Sequence, residues 1–179
     1  RRAATRISVM LAAEALRDAP SDPVTVETPI GPARGRRLRH DVVVVPVLRA
    51  GLGMLDAVLE LVPDARVGHI GLQRNEMTAI ASRYYSKLPE KLEDSYTLLI
   101  DPMLATGGSA VEALTLLQGA GARHMRIVCI VAAPEGIATV EQHHPNVSIY
   151  TPVVDERLNE HKYIVPGLGD FGDRLYGTL

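Results

Sequence analysis

The stretch of residues 97–117 has the order of residue types that binds a phosphate monoester. An apolar run at 97–100 predicts a strand, Asp101 follows it directly, and a short loop leads into an apolar helical run. The loop ends on two adjacent glycines between two hydroxyl residues, in the order Thr106, Gly107, Gly108, Ser109. Glycines let the backbone approach an anion and point N–H groups at it, hydroxyls add donors, and the start of a helix adds partial positive charge. The loop is therefore predicted to bind a phosphate.

Asp101 indicates what the phosphate is attached to. Its carboxylate is anionic, so we do not expect it to face the phosphate, whereas its acceptor-only oxygens suit the hydroxyl groups of a ribose. The sequence therefore predicts a ribose 5′-phosphate as part of the ligand. The alternative is that Gly107 and Gly108 merely turn the chain from strand to helix.

A second strand, loop and helix unit carries an arginine at its turn. The apolar run at 42–45 predicts the strand, and Arg49 is followed by the small residues Ala50 and Gly51. A guanidinium can donate to two phosphate oxygens at once, and the small neighbours allow close backbone approach. We therefore expect Arg49 to bind phosphate, the alternative being an arginine that pairs with a surface acid.

The glycine-rich stretch at 167–172 matches the dinucleotide-binding pattern G-x-G-x-x-G. That pattern is informative only where it leads from a strand into a helix within a longer unit. Seven residues follow it in the sequence, and we expect no room there for the helix, second strand and ribose-binding acid of such a unit. We therefore reject a dinucleotide site.

Together these segments resemble the uracil phosphoribosyltransferases, a branch of the type I phosphoribosyltransferases. The sequence Asp-Pro-Met-Leu-Ala-Thr-Gly-Gly-Ser at 101–109 resembles their signature for 5-phosphoribosyl 1-diphosphate (PRPP), and residues 163–178 resemble their uracil-binding hood. Many type I enzymes have a second acid after the first and a carboxylate before Thr-Gly, where this chain has Pro102 and Ala105. These departures favour the uracil branch over the hypoxanthine and orotate enzymes. The resemblance runs from about residue 28 onward.

The resemblance implies which residues bind each substrate. PRPP would be bound by Arg49, Arg74, Asp101, Pro102, Met103, Leu104, Ala105, Thr106, Gly107, Gly108, Ser109 and Asp170. Uracil would be bound by Ile164, Gly169, Asp170 and Phe171, mainly through the backbone. Arg49 would hold the diphosphate. Arg74 is flanked by Gln73 and Asn75, where the family commonly has a tyrosine and an aspartate.

The implied reaction joins the 5-phosphoribosyl group of PRPP to N1 of uracil and gives UMP and diphosphate. Mg²⁺ would arrive bound to PRPP, and Asp170, the candidate catalytic carboxylate, would reach it through water only. No residue is firmly assigned as a general base, so catalysis would rest on positioning and electrostatics. Relatives are commonly dimers or larger, which predicts a homo-oligomer. Some relatives are activated by GTP, and the sequence leaves open whether this protein is.

Alternating elements must hold these residues in place. Residues 5–17 have helical spacing, and short apolar strand patterns follow at 42–45, 67–70, 97–100, 127–131 and 147–149. Continuous apolar strands predict burial on both faces, and so an α/β fold with a doubly wound, mostly parallel sheet, helices on both faces and a ligand at the carboxyl ends of the strands. Residues 73–95, which include Tyr84 and Tyr85, interrupt the alternation and predict a projecting arm or lid. Residues 155–179 would form the hood.

Size and charge limit the remaining alternatives. With 179 residues and 46% apolar content, residues 1–179 are expected to form one domain. Nineteen basic against 21 acidic residues give no field that attracts nucleic acid or a membrane, and the basic run at 34–39 is expected to be a solvated loop. The lone Cys129 and the lack of a long apolar run suggest a cytoplasmic protein, and the start at Arg1 suggests missing N-terminal residues. A phosphoribosyltransferase for another base and a fold-related RNA-binding regulator remain as alternatives, the first disfavoured by the tail and the second by the balanced charge.

Overall fold

The structure is a computed structural model that describes residues 1–74 and 81–178; of Arg74 and Ala81 it describes the backbone alone. Successive helices are separated by two or more strands. Their order is α1 (Arg2–Leu16), β1 (Ser21–Glu27), β2 (Pro32–Leu38), β3 (Asp41–Leu48), α2 (Leu52–Leu61), β4 (Arg66–Val67), β5 (His69–Arg74), β6 (Ala81–Lys87), β7 (Ser95–Ile100), β8 (Met103–Leu104), α3 (Gly108–Gly119), β9 (His124–Val128), β10 (Val131–Ala132), α4 (Pro134–His143), β11 (Ser148–Tyr150), β12 (Arg157–Leu158), β13 (Ile164–Val165) and α5 (Phe171–Tyr176).

A mostly parallel sheet forms the centre of the fold. Its strands lie in the order β11, β9, β7, β3, β5, β6, and β4 also pairs with β3. All of these pairs are parallel except the edge pair of β5 and β6. Each of the five predicted strand patterns overlaps a strand of this sheet. The expected α/β fold is therefore confirmed.

Helices cover both faces of the sheet. Successive side chains of a strand point to opposite faces, and on β3 both sets are buried. Val43 and Val45 belong to a core cluster with residues of α3 and α4, whereas Val42 and Val44 belong to a second cluster with residues of α1, α2 and α5. Burial on both faces explains why these strands read as continuous apolar runs.

The direction in which the sheet is wound changes between β3 and β7. From β3 the chain passes through α2 to β5 on one side, and from β7 it passes through α3 to β9 on the other side. At such a switch point the connections diverge and leave a crevice outside the carboxyl ends of the two strands. The predicted phosphate loop follows β7 and Arg49 follows β3, so both are placed at this crevice.

Two peripheral regions differ from the sequence-based expectation. The basic run at 34–39 is not a loop, because residues 32–38 form β2, which pairs with β1 in an exposed antiparallel hairpin. Part of the predicted arm is the edge strand β6, whose Tyr84 and Tyr85 are exposed. Residues 75–80 of that arm lie outside the described residues, so its role as a lid stays a prediction.

The hood contains a ribbon and a short helix. Strands β12 and β13 pair with each other, apart from the main sheet. The six-residue helix α5 begins within the glycine-rich stretch, contrary to the expectation that no helix would fit there. This helix does not directly follow a strand of the main sheet. The G-x-G-x-x-G pattern therefore does not lie in the strand, turn and helix unit that a dinucleotide site requires. Across the described ranges, no helix has the length and apolar character needed to cross a membrane.

Candidate active site

The predicted phosphate loop encloses a cavity of about 180 Å³ at the carboxyl end of β7. Most of the predicted loop residues line it, namely Asp101, Met103, Leu104, Ala105, Thr106, Gly107 and Ser109. Pro102 is buried instead, and its carbonyl accepts hydrogen bonds from the N–H groups of Ile130 and Val131 at 3.0 and 3.1 Å. Pro102 therefore anchors the loop to the neighbouring strand connection.

Two glycines from different elements allow the loop to take its shape. Gly107, the N-cap of α3, has a φ of +82°, which favours glycine. A Cβ atom at Gly107 would also lie 2.8 Å from the carbonyl oxygen of Gly136 in α4. A Cβ atom at Gly136 would lie 2.7 Å from the carbonyl oxygen of Leu104. The first turn of α4 thus packs directly on the backbone of the phosphate loop.

Gly136 was missed by the sequence analysis, although a signal for it exists. It lies two residues after Pro134, inside the first turn of a helix, where glycine lowers helix propensity. A glycine inside a helical pattern often has a packing reason. Here that reason is the close contact with the loop.

Arg49 lies in the turn between β3 and α2. Gly51 permits this turn, because a Cβ atom there would lie 2.5 Å from the carbonyl oxygen of Ile100 at the end of β7. The Arg49 side chain is 58% exposed, and its Nη2 atom lies 3.3 Å from Oδ1 of Asp173 in α5. The Arg49 side chain is therefore accessible to a ligand, and its contact with Asp173 connects it to the hood.

One cleft joins the segments that sequence analysis treated separately. It has a volume of about 260 Å³ and is lined by Val47, Leu48, Arg49, Ala50, Leu72, Asp101, Ser109, Asp170 and Gly172. The predicted diphosphate arginine, the predicted ribose acid, a hydroxyl of the phosphate loop and the hood carboxylate thus surround one space. The prediction at Arg74 concerns a side chain that lies outside the described residues.

The hood is fixed close to the phosphate loop. Ile164 is buried in a cluster with Met103 and Ala105 of the loop. Gly167 has a φ of +55° and donates its N–H to Oδ2 of Asp155 at 2.9 Å. Gly169 also has positive φ, at +74°. These contacts hold the backbone that is predicted to meet uracil.

Phe171 and Asp170 start the short helix of the hood. The Phe171 side chain is buried in the core cluster formed with α1 and α2, so only its backbone remains for a ligand. Asp170 is the N-cap, and its Oδ1 atom accepts the N–H of Asp173 at 2.9 Å. The cap uses one of the two carboxylate oxygens of a side chain that also lines the cleft.

Asp101 is an unusual acid in this cleft. Burial, and to a lesser degree the nearby charge of Asp170, raise the pKa of Asp101 from 3.8 to about 7, although the N–H of Met103 opposes this at 3.3 Å. The charged form is thus costly in the protein alone. Hydroxyl donors or positive charge on a ligand would stabilise it.

We expect replacement of Asp101 by asparagine to stabilise the protein at alkaline pH. The folded-state pKa lies above 3.8, so the native state holds a proton that the unfolded state releases between pH about 4 and 7, and the free energy of unfolding falls as pH rises through this window. Asp101→Asn removes that loss, and should be more stable than the parent by up to about 4 kcal/mol at pH 8 and equal to it below pH 4. Urea unfolding at pH 4, 6 and 8 measures this.

Asp64→Asn, at an exposed acid, is the matched control and should change stability by less than about 0.5 kcal/mol at each pH. A constant difference between Asp101→Asn and the parent at all three pH values would contradict the expected titration.

Among the described residues, the cleft offers two carboxylates to a metal ion. In the described part of the chain, no group of three or more His, Cys, Asp or Glu side chains is placed to hold a metal. Asp101 and Asp170 both line the same cleft. Mg²⁺ keeps several waters and is often bound by one or two carboxylates plus substrate phosphates. This donor set fits Mg²⁺ that arrives with a phosphorylated ligand.

The chain is similar to known proteins over nearly its whole length. The family described as uracil phosphoribosyltransferase matches residues 1–178. The chain is 51% identical over 173 residues to the uracil phosphoribosyltransferases of Dictyoglomus thermophilum and Shouchella clausii, which covers 96% of this chain and 84% and 83% of those proteins. Among solved structures, the AQ2163 protein of Aquifex aeolicus is 43% identical with a TM-score of 0.93, over 98% of this chain and 84% of that one. A hypoxanthine phosphoribosyltransferase of Staphylococcus aureus, 14% identical with a TM-score of 0.60 over 87% of this chain and 74% of its own, shares the fold.

Proposed function

Since the chain belongs to the uracil phosphoribosyltransferase family, its activity is the formation of UMP and diphosphate from uracil and PRPP, and we propose that the cleft between the ends of β3 and β7 is its active site. The observation that carries this proposal is the meeting of Arg49, Asp101, Ser109 and Asp170 around one cleft. These residues come from three distant parts of the sequence. Each has the chemistry that one portion of PRPP requires.

The 5′-phosphate is proposed to bind at the start of α3. The first N–H groups of a helix have no partner within it, and at this helix start Thr106 and Ser109 also carry hydroxyl groups. Such a helix start attracts anions through its free N–H groups and its dipole. Asp101, at the end of β7, would then accept hydrogen bonds from the ribose hydroxyls. Those donors would stabilise the ionised form of Asp101, whose pKa is raised by burial in the protein alone.

The diphosphate is proposed to bind at Arg49, which lines the same cleft. As the bond between C1 and the diphosphate oxygen breaks, negative charge grows on the diphosphate and the guanidinium stabilises it. Mg²⁺ carried by PRPP would supply further positive charge, and Asp170 would contact its water shell. N1 of uracil forms the new bond to C1 from the opposite face as the bond from C1 to diphosphate breaks, and the N1 proton is released to water. Pro102 and Ala105 occupy the two positions where many type I enzymes have a carboxylate that could act as a general base. The protein is therefore proposed to contribute positioning and electrostatics.

Uracil is proposed to be selected by the backbone of the hood. Amide groups at Ile164, Gly169 and Phe171 would pair with the pyrimidine edge, and the contact of Gly167 with Asp155 supports their fixed geometry. Cytosine has an amine where uracil has a carbonyl and an acceptor where uracil has the N3 donor. Because mispaired amides in a closed site are costly, cytosine should be rejected strongly.

We also propose that the protein is a homodimer or larger homo-oligomer and that it is located in the cytoplasm. The β1–β2 hairpin exposes most of its residues, including Val26 and Ile30, although an isolated two-stranded hairpin is marginally stable. This supports a homodimer or larger oligomer. The cytoplasmic location is proposed because the single cysteine of this sequence, Cys129, is free and buried, and burial raises the pKa of its thiol to about 12.

The test is formation of nucleotide from PRPP and Mg²⁺ with uracil, cytosine, hypoxanthine and orotate in parallel reactions. Product with uracil alone supports both the PRPP site and the uracil hood. Product with a different base would contradict the proposed hood, and no product with any base would contradict the proposed active site.

Gly108 is a position where a substitution should affect ligand binding but not folding. A Cβ atom there would meet only Oγ1 of Thr106, at 3.8 Å, so the protein has room for it. The proposed phosphate lies against this backbone, and a methyl group would keep it away from the N–H groups. We expect Gly108→Ala to raise the KM for PRPP by about 10-fold to 100-fold, because at least one charge-assisted hydrogen bond to the phosphate is lost. The midpoint of thermal unfolding should not change.

The control is Gly119→Ala in the same helix, where a Cβ atom meets nothing within 4 Å. It should leave both the KM and the midpoint unchanged. An unchanged KM in Gly108→Ala would contradict the placement of the phosphate.

A further inference from the structure

Asp173 contacts two residues of the proposed site and has no assigned role in it. Its Oδ1 atom lies 3.3 Å from Nη2 of Arg49 and accepts the hydroxyl of Thr178 at 2.6 Å. Its backbone N–H donates to Oδ1 of Asp170 at 2.9 Å. One residue thus contacts both the proposed diphosphate arginine and the proposed hood carboxylate.

Helix α5, which contains Asp173, also contacts the main chain of Arg49. The hydroxyl of Tyr176 donates to the carbonyl oxygen of Arg49 at 3.3 Å. In α2, Gly53 packs against the side chains of Leu175 and Phe171 so closely that a Cβ atom would collide with Leu175. The short helix of the hood therefore rests on the turn that carries the arginine.

The ion pair with Asp173 can restrict the Arg49 side chain before a ligand binds. The Arg49 side chain is long and 58% exposed, so free rotation would cost entropy each time a ligand fixed it. Across the described residues, Asp173 is the one acid within ion-pair distance of Arg49. A guanidinium has five N–H donors in a fixed plane, so it can keep one carboxylate partner and still donate to phosphate oxygens.

Resting on the proposed function, we infer that Asp173 is a positioning residue that orients Arg49 toward the diphosphate and links PRPP binding to the uracil hood. Because its N–H also holds Asp170, a shift of α5 moves the arginine and the hood carboxylate together.

Asp173→Asn tests the inference with little change of shape, because the backbone N–H that caps α5 stays in place. We expect the dissociation constant of PRPP, measured by titration calorimetry, and its KM to rise about 10-fold or more, while kcat falls less. Asp173→Glu should recover part of the affinity. Asp56→Asn, at an exposed acid on α2, is the matched control and should equal the parent.

A double-mutant cycle separates this role from a general structural one. If Asp173 acts through Arg49, Asp173→Asn should have less than about a twofold effect in the Arg49→Ala background. Equal effects in both backgrounds, or tighter PRPP binding by Asp173→Asn alone, would overturn the inference. A parent protein that forms UMP but is unaffected by Asp173→Asn overturns only this inference, whereas a parent that neither binds PRPP nor forms UMP overturns the proposed function with it.

Discussion

Replacing Arg49 by alanine is expected to lower kcat/KM for PRPP by about 10²-fold to 10³-fold, the usual effect of removing one preorganised donor to developing charge. Arg49 lines the same cleft as Ser109 of the phosphate loop, and its side chain is accessible to solvent. The diphosphate gains negative charge as its bond to C1 breaks, so the loss should appear in kcat as well as in the KM. Steady-state rates of UMP formation at varied PRPP measure both.

Two further variants identify the cause of that loss. Arg49→Lys keeps the charge but not the planar donor pair, so it should recover only part of the activity. Arg34→Ala removes an exposed arginine of the β1–β2 hairpin and should leave kcat/KM unchanged. The proposed role of Arg49 would be wrong if Arg49→Ala and Arg34→Ala had equal activity.

Replacing Gly136 by alanine is expected to lower kcat/KM by about 100-fold although this residue is not part of the cleft lining. The new Cβ atom would overlap the carbonyl oxygens of Leu104 and Ala105, so either the loop or α4 must shift. Misplacement of binding groups by about 1 Å can cost about 100-fold in rate. Overpacking at this contact should also lower the free energy of unfolding by about 1–3 kcal/mol. Initial rates and urea unfolding measure the two effects.

Gly119→Ala again provides the comparison, since it adds the same methyl group to a helix at a position with open space. Stability and rate should both be preserved there. Normal activity in Gly136→Ala would show that the loop tolerates displacement, contrary to the close packing described above.

The strands of the central sheet were predictable because their signal is local. Runs such as Val42 to Val45 are apolar at every position, and only burial on both faces of a sheet accommodates such a run. The phosphate loop was predictable for a similar reason. Its strand, acid, glycines and helix are consecutive in the sequence, so the elements that position them are the elements that contain them.

The hairpin β1–β2 and the edge strand β6 were not predicted. Their residues are mostly polar and exposed, with Arg34, Arg36 and Arg37 in β2. No buried face imposes a pattern on such strands. Pairing with a neighbouring strand defines them, and that pairing is a property of the folded chain.

By itself, the sequence determined which chemical groups are available and in what order, namely the phosphate loop at 101–109, Arg49 and the glycine-rich hood. Only the tertiary structure decided that Arg49, Asp101 and Asp170 face one cleft, that Gly136 supports the loop from a distant helix, and that Asp173 contacts Arg49. It also decided the pKa of Asp101, which depends on burial. The physical reason is that distances and burial between residues far apart in sequence arise from the packing of helices on the sheet, whereas a residue type and its neighbours are local properties of the chain.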